Sequence, residues 1–351
     1  MFKKLLGVDL PIIQAPMAGV QDSALTVAVS SAGGLGSLPC GMLSCEAILS
    51  ELAAIKEQTT KPFNVNFFCH KPPNPDQMDE SKWRSILKPY FTEYNINRND
   101  IKSGLKREPF SHEIADIVMK FKPKVVSFHF GLPSDDLLDR VKSWGSKILA
   151  SATTIEEAQW LESQGVDGII AQGIEAGGHR GMFLTDDLTT QSGTFSLLPQ
   201  IIKNVKIPVI AAGGIADAKG VSAALSLGAV AAQIGTSYLL CSETKTSQIH
   251  RTALKSAQAH HTAITNIFSG RPARGIVNRI IREIGPLNKD APIFPLASTA
   301  ITALRKQAEI KGCNDFSPLW SGQNSSGCKE ISAHKLTQIL AMEYKLKQQP
   351  Q

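Results

Sequence analysis

The strongest constraint on the fold is a repeated pattern of short apolar runs, each followed by loop residues and then by a segment with helical periodicity. Several runs lack the alternation of polar and apolar residues, which is typical of parallel strands covered on both faces. Eight such units within about 230 residues predict an α/β protein built as a (β/α)8 TIM barrel. The predicted strands cover residues 12–15, 35–38, 63–67, 125–128, 147–150, 168–171, 209–212 and 231–234.

An open doubly wound sheet is the alternative architecture for the same pattern. Its dinucleotide-binding form carries a GxGxxG sequence after the first strand, whereas this chain has Pro16-Met17-Ala18-Gly19 there. The barrel is therefore favoured. Thr154 and Asp217 support the alternation of strands and helices, because each is a residue type that caps helix N-termini and each precedes a helical segment.

Two stretches depart from the regular repeat. Residues 69–108 are rich in Pro, Asn, Asp and Lys and form an irregular excursion between the third and fourth strands. Residues 242–324 follow the eighth strand and contain a helical apolar stripe, which predicts a smaller, mainly helical domain. The barrel would then comprise residues 1–241 and 325–351, and its eighth helix would come late in the chain.

The charge balance gives little guidance about partners. The 37 Lys and Arg residues exceed the 31 Asp and Glu residues by a net charge of +6, and these charges are scattered. Such a mild excess slightly favours small anionic molecules. The densest basic stretch, from Arg271 to Arg282, lacks the interleaved aromatic residues of a nucleic-acid platform, so no nucleic-acid partner is expected.

Cysteine and histidine spacing argues against a metal site. The 6 cysteines form no CxxC pair and no zinc-finger pattern with histidine, and the chain has no HExxH motif. Free thiols in a reducing compartment are expected, which together with an interrupted N-terminal apolar segment predicts a cytoplasmic protein. Residues 220–242 are uncharged, but Gly228, Gln233 and Gly235 interrupt them, so no membrane partner is expected.

The ends of the last two predicted strands suggest an anion-binding site. Loops after the seventh and eighth strands form the usual phosphate site of a TIM barrel. Gly213 and Gly214 would leave backbone N–H groups unobstructed, while Gly235 and Thr236 would add N–H groups and a hydroxyl at a helix start. The alternative is that these glycines only form tight turns, but their joint position in both loops favours phosphate binding.

The loop after the sixth strand is the second candidate. Gly177 and Gly178 would let the backbone approach another group closely, and His179 follows them at the mouth of the barrel. A histidine titrates near neutrality and is suited to general acid or base catalysis, although a lone histidine is more often structural. His129 also follows a strand and is a weaker candidate. Cys69 is a weak candidate nucleophile, because the local sequence offers it no histidine partner.

Two side-chain amides also lie at strand ends. Asn66 and Gln172 can both donate and accept hydrogen bonds, which suits the polar edge of a ring system such as a flavin. An equally good interpretation for each is that the amide satisfies loop backbone.

Taken together, these motifs resemble the nitronate monooxygenase family, formerly grouped as 2-nitropropane dioxygenases, which are FMN-dependent barrel enzymes. The resemblance covers nearly the whole chain, and the loop from Gly177 to Gly181 is its most specific part. The excursion at 69–108 is longer than in compact members of the family. The resemblance therefore does not determine how substrates reach the site or which substrate sizes it accepts. The matching segments are residues 14–19, 33–36, 64–66, 172–181, 212–217, 233–236, 270–274 and 320–323.

The resemblance implies a set of site residues. His179 would be the catalytic base, and residues 242–324 would cover the flavin. FMN would contact Met17, Ala18, Gly19, Asn66, Gln172, Gly177 and Gly178 around its ring and ribityl chain, and Gly213, Gly214, Gln233, Ile234, Gly235 and Thr236 near its phosphate.

The implied reaction is the oxidation of alkyl nitronates such as propionate-3-nitronate by O2, which yields a carbonyl compound and nitrite. The runner-up is an FMN-dependent enoyl-acyl carrier protein reductase that uses NAD(P)H. A non-catalytic barrel that binds flavin or another phosphate ligand is the third alternative. A homodimer is compatible with the sequence, which does not fix the oligomeric state.

Overall fold

The structure is a computed structural model that describes residues 2–73, 80–97, 101 and 107–348. Parts of the predicted excursion, residues 74–79, 98–100 and 102–106, lie outside the described residues. Within the described part, eleven strands occur in chain order. They are β1 (Ile12–Gln14), β2 (Gly36–Pro39), β3 (Phe63–Phe68), β4 (Val125–His129), β5 (Lys147–Ala152), β6 (Gly168–Gln172), β7 (Gly178–His179), β8 (Val209–Ala212), β9 (Ala231–Ile234), β10 (Thr262–Thr265) and β11 (Ala273–Ile276).

Eight of these strands form one parallel sheet in the order β1-β9-β8-β6-β5-β4-β3-β2. The sheet closes on itself, because Gln14 N–H donates to the Leu35 carbonyl at 3.0 Å and Leu35 N–H donates to the Ile12 carbonyl at 2.9 Å. All six residues of β3 are buried, as expected for a strand covered on both faces. The predicted (β/α)8 barrel is therefore confirmed, and the open doubly wound sheet is wrong.

Helices alternate with the barrel strands. The predicted caps form: Thr154 Oγ accepts from Glu157 N–H at 3.2 Å, and an Asp217 carboxylate oxygen accepts from Gly220 N–H at 2.7 Å. The helices are α1 (Phe2–Leu6), α2 (Ser23–Ser31), α3 (Cys45–Gln58), α4 (Ser81–Ile86), α5 (Lys88–Glu93), α6 (His112–Met119), α7 (Asp135–Ser143), α8 (Ile155–Ser163), α9 (Thr194–Asn204), α10 (Ala218–Ser226), α11 (Gln248–Leu254), α12 (Arg279–Ile284), α13 (Ser298–Ile310), α14 (Ala333–Leu340) and α15 (Met342–Gln348).

The two ends of the barrel differ. The N-terminal helix α1 places Leu6 in a buried cluster with Ile13, Leu149 and Ile170, so apolar side chains fill the end opposite the strand C-termini. On the outside, α14 packs against both α2 and α10, and Tyr238 Oη lies 2.8 Å from Thr337 Oγ. The delayed eighth helix thus takes the position that the barrel pattern requires.

The segment after β9 builds helices α11 to α13 and a small antiparallel sheet in the order β10-β11-β7. Strand β7 comes from the loop after β6, and its His179 pairs with Ala273 of β11. The inserted segment is therefore joined to the barrel mouth by backbone pairing. The division at residues 242–324 itself remains a prediction.

The described part of the excursion contributes to the same insert. Phe91 of α5 is 1% exposed and lies in one buried cluster with Ile267, Leu304 and Phe316. The Arg279 guanidinium makes two hydrogen bonds to the Glu93 carboxylate, at 2.7 and 2.8 Å. The described part of the excursion thus packs against residues after β9.

We expect Phe91→Ala to lower the free energy of unfolding by about 3–5 kcal/mol, because it removes a buried ring and leaves a cavity. Phe195→Ala is the matched control, since Phe195 is 75% exposed, and it should change that free energy by less than about 0.5 kcal/mol. Urea unfolding followed by circular dichroism measures both. Equal effects would show that the excursion does not pack as described.

None of the helices in residues 2–73, 80–97 and 107–348 combines the length and apolar character needed to cross a bilayer.

Candidate active site

A large cavity opens at the C-terminal ends of the barrel strands, beneath the insert. In a TIM barrel the loops at this end carry the ligands and the catalytic groups. The structure brings the predicted catalytic base and all the predicted FMN-contacting residues to this one cavity. The lining includes Met17, Ala18, Gly19, Asn66, Gln172, Gly177, Gly178, His179, Gly213, Gly214, Gln233, Ile234, Gly235 and Thr236.

The loop after β8 is fixed by backbone geometry. Gly213 has φ +123° and Gly214 has φ +71°, a region that side chains disfavour. A Cβ at Gly213 would lie 2.7 Å from Thr194 Oγ, so a larger residue would displace the loop. Thr194 is itself held by Glu175, whose carboxylate accepts from the Thr194 hydroxyl at 2.9 Å.

Four N–H groups at this end have no acceptor among the described residues, and they belong to Gly213, Gly214, Gly235 and Thr236. Free N–H groups of neighbouring loops that converge on a cavity form an anion-binding site. Thr236 adds a hydroxyl: its Oγ accepts from Gly322 N–H at 2.9 Å, which leaves its own proton to donate. This end of the cavity is therefore suited to a phosphate group.

A short segment after the insert, residues 320–324, crosses this end of the cavity. Asn324 Nδ2 donates to the Gly214 carbonyl at 3.2 Å, and Gln323 N–H donates to the Glu175 carbonyl at 3.0 Å. A Cβ at Gly177 would lie 2.5 Å from Gly322 N. The absence of a side chain at Gly177 therefore lets this segment pack against its backbone. At Gly178, with φ +72°, a Cβ would meet nothing within 4 Å.

His179 lines the cavity and is half-buried. Its ring lies among aromatic side chains, with centroid distances of 5.5 Å to both Phe294 and Trp320 and 5.9 Å to Phe130. Burial, followed by the positive charge of Arg107, holds the pKa of His179 well below its usual value of 6.5. The imidazole is therefore neutral at neutral pH and can accept a proton.

The backbone carbonyl of His179 is held by two donors. Gln172 Nε2 donates to it at 3.0 Å, and His129 Nε2 lies 3.2 Å from it. Because a carbonyl can only accept, His129 carries its proton on Nε2, and its Nδ1 accepts from the Ser151 hydroxyl at 3.0 Å. Burial lowers the pKa of His129 to about 4. His129 is thus neutral, and both of its ring nitrogens are used to hold the loop.

The two predicted amides differ in their contacts. Gln172 also accepts from Gly181 N–H at 2.7 Å through Oε1, so its amide ties the His179 loop together. Asn66 Nδ2 donates to the Ser127 carbonyl and hydroxyl at 3.2 and 3.0 Å, and its Oδ1 has no described partner. The backbone-satisfying interpretation therefore describes Gln172, whereas Asn66 keeps a free acceptor.

Gln233 provides a further free polar group. Its Oε1 is buried at the cavity and has no hydrogen-bond partner among the described residues. A buried acceptor without a donor is costly, unless a ligand or water supplies one. The free acceptors of Asn66 and Gln233, together with the free N–H groups, fit a ligand that has an anionic end and hydrogen-bond donors.

Sequence reasoning missed two groups at the cavity. Arg107 lies in the excursion, where no strand end marks it, and its guanidinium sits 5.2 Å from the Phe294 ring centroid. Ser269 directly precedes the matching segment 270–274, and its Oγ lies 2.9 Å from His179 Nε2. Cys69, the weak candidate nucleophile, is not among the residues that line the cavity, and burial raises the pKa of its thiol well above the usual value, which does not favour a nucleophilic role.

Acidic, cysteine and histidine side chains do not cluster at the cavity in a way that suggests a metal. Across residues 2–73, 80–97, 101 and 107–348, no group of three or more such side chains is placed to hold an ion.

Comparisons with known sequences match nearly the whole chain. A family profile described as nitronate monooxygenase matches residues 1–343. A nitronate monooxygenase of Paraburkholderia phytofirmans is 42% identical over 346 residues, which cover 97% of this chain and 94% of that protein. One from Pseudomonas aeruginosa is 40% identical over 347 residues, which cover 97% of this chain and 98% of that protein.

Solved structures show the same likeness. Nitroalkane oxidase from Streptomyces ansochromogenes superposes with a TM-score of 0.89 at 36% identity, and the match covers 98% of both chains. FabK from Thermotoga maritima superposes with a TM-score of 0.74 at 26% identity, covering 99% of this chain and 96% of that one. From the matched residues, the identities and the shared architecture, this chain belongs to the nitronate monooxygenase family.

Proposed function

We propose that this enzyme oxidises alkyl nitronates with O2 at a bound FMN and releases a carbonyl compound and nitrite. The observation that carries the proposal is the pairing of two features in one cavity. One end presents four N–H groups that have no acceptor among the described residues, and the same cavity presents a neutral His179 near the positive charge of Arg107. The first feature suits a phosphate, and the second suits an anionic or acidic organic substrate.

The residues present fit FMN. The N–H groups of Gly213, Gly214, Gly235 and Thr236 would hold its phosphate. The acceptors Asn66 Oδ1 and Gln233 Oε1, which have no partner among the described residues, would meet its hydrogen-bond donors. The chemistry that bound FMN supplies is electron transfer between the nitronate and O2.

The protein's own groups handle the substrate and its proton. A neutral nitroalkane must lose an α-proton to become a nitronate, and His179 is the base that would accept it. The Arg107 guanidinium lines the same cavity and favours the negative charge that develops on the nitro group. A substrate supplied as the nitronate needs no base, so His179 matters less for it.

The similarity to FabK supports a second candidate, an enoyl reductase that uses NAD(P)H. That likeness is weaker than the one to nitroalkane oxidase in both identity and TM-score. The two candidates differ in the electron donor, nitronate in one case and a nicotinamide in the other. The cytoplasmic location and the homodimer remain predictions from the sequence.

The cofactor is tested on the purified protein. We expect a yellow protein whose heat-released chromophore co-migrates with FMN in liquid chromatography. Release of FAD would contradict the assignment of FMN. A colourless protein that takes up no flavin would support a barrel for another phosphate ligand.

The reaction is tested with ethylnitronate in air. The flavin-loaded protein should consume O2 and release acetaldehyde and nitrite, and the same protein should not turn over a crotonyl thioester with NADPH. The reverse pattern would replace the proposed function with the reductase.

A further inference from the structure

A buried serine at the cavity contacts the ring of His179. The inference rests on the proposed role of His179 as base. Ser269 is 2% exposed and lies at the cavity, with its Oγ 2.9 Å from His179 Nε2. The same oxygen lies 3.2 Å from the Arg271 carbonyl and 3.4 Å from Arg271 N.

Proton counting around this hydroxyl decides which nitrogen of His179 carries the hydrogen. Ser269 has one proton to donate, and the Arg271 carbonyl has no other donor among the described residues. If the serine donates to that carbonyl, its oxygen is left to accept from His179 Nε2–H and from Arg271 N–H. This arrangement gives the serine hydroxyl, His179 Nε2 and the backbone N–H and carbonyl of Arg271 a partner each, whereas the reverse leaves the carbonyl without a donor among the described residues.

We propose that Ser269 is a positioning residue that holds His179 in the Nε2–H tautomer and thereby makes Nδ1 the atom that accepts the substrate proton. His179 Nδ1 has no partner among the described residues. In the step, the Cα–H bond of the nitroalkane breaks and its proton bonds to Nδ1. The electron pair of that bond forms the C=N bond of the nitronate, whose nitro oxygens take the negative charge.

Ser269 replaces the carboxylate that often orients a catalytic histidine. The charged and titratable groups that face His179 are Arg107, Arg271 and His129, and none of them is acidic. No carboxylate of the described residues forms an ion pair or hydrogen bond with the ring. A serine acceptor fixes the tautomer without adding a negative charge that would stabilise the protonated ring, so the imidazole stays unprotonated at neutral pH.

The tautomer can be measured directly in the flavin-loaded protein by ¹⁵N NMR with labelled histidine. The signal of His179 is identified by its loss in His179→Asn. We expect a protonated Nε2 and an unprotonated Nδ1 in the wild type and in Ser269→Thr, and a mixture of tautomers in Ser269→Ala. A proton on Nδ1 in the wild type, or an unchanged tautomer in Ser269→Ala, would overturn the proposal.

Kinetics give the second readout. Ser269→Ala should lower kcat/KM for neutral nitroethane about 10- to 100-fold. This is the effect expected from the loss of one hydrogen bond to a ring that becomes charged when it accepts the proton. Its loss on preformed ethylnitronate should stay below about threefold, and Ser269→Thr should restore most of the nitroethane activity. Ser146→Ala is the control, because Ser146 is also buried but its hydroxyl donates to the Pro123 carbonyl, away from the cavity. Equal losses on both substrates, or no recovery with threonine, would assign Ser269 a merely structural role.

The two proposals can fail separately. If the wild type does not oxidise ethylnitronate, the proposed function is wrong. The NMR measurement still decides the tautomer in that case, because it requires no turnover.

Discussion

His179→Asn is expected to lower kcat/KM for neutral nitroethane by about 100- to 10,000-fold, the range over which a positioned base contributes. The side chain of asparagine can still fill much of the site, but it cannot accept a proton in the same way. Preformed ethylnitronate has already lost its α-proton, so its kcat/KM should fall far less. Steady-state O2 consumption with the two substrates measures both effects.

The control for this experiment is His112→Asn. His112 is exposed on α6, where its Nε2 lies 3.0 Å from an Asp136 carboxylate oxygen, outside the barrel mouth. It should leave both rates within about twofold of wild type, as expected for a surface substitution. Equal losses on the nitroalkane and the nitronate in His179→Asn would remove His179 from the role of base.

Gly213→Ala is expected to weaken flavin binding by about 10- to 100-fold. The new Cβ would sit 2.7 Å from Thr194 Oγ and would occupy a residue with φ +123°. Relief of that clash and of the backbone strain, each worth on the order of 1–3 kcal/mol, would move the loop that presents the free N–H groups. Titration of the apoprotein with FMN, followed by quenching of flavin fluorescence, gives the Kd.

Gly312→Ala separates this effect from backbone strain alone. Gly312 also has positive φ, +72°, but a Cβ there meets nothing within 4 Å. This variant should lose about 1 kcal/mol of stability and bind FMN with the wild-type Kd. If Gly213→Ala also bound FMN with unchanged Kd, the loop after β8 would not be the phosphate site.

The barrel was predictable because its signals are local. Each parallel strand is an apolar run buried on both faces, and caps such as Thr154 and Asp217 form within four residues of chain. The lining of the cavity follows from the same pattern, since a strand end in a barrel points to one mouth. Hence Gly213, Thr236 and His179 could be placed in one site before their distances were known.

The rest of the site depends on contacts between distant segments, which leave no periodic signal. His179 pairs with Ala273, and Ser269 reaches the ring of His179 across 90 positions of sequence. Gly177 is an example: the sequence predicts that another group approaches its backbone closely, but it does not show that this group is the backbone at Gly322. Arg107 belongs to an irregular segment, whose packing against the insert no local pattern reveals.

Anaerobic mixing of the flavin-loaded protein with ethylnitronate or with NADPH in a stopped-flow spectrometer identifies the electron donor of the flavin. Without O2, we expect the absorbance of oxidised flavin to fall within the time of one turnover when ethylnitronate is added. NADPH at the same concentration should leave it unchanged over that time. Rapid bleaching by NADPH with no response to ethylnitronate would contradict nitronate oxidation as the function of this protein.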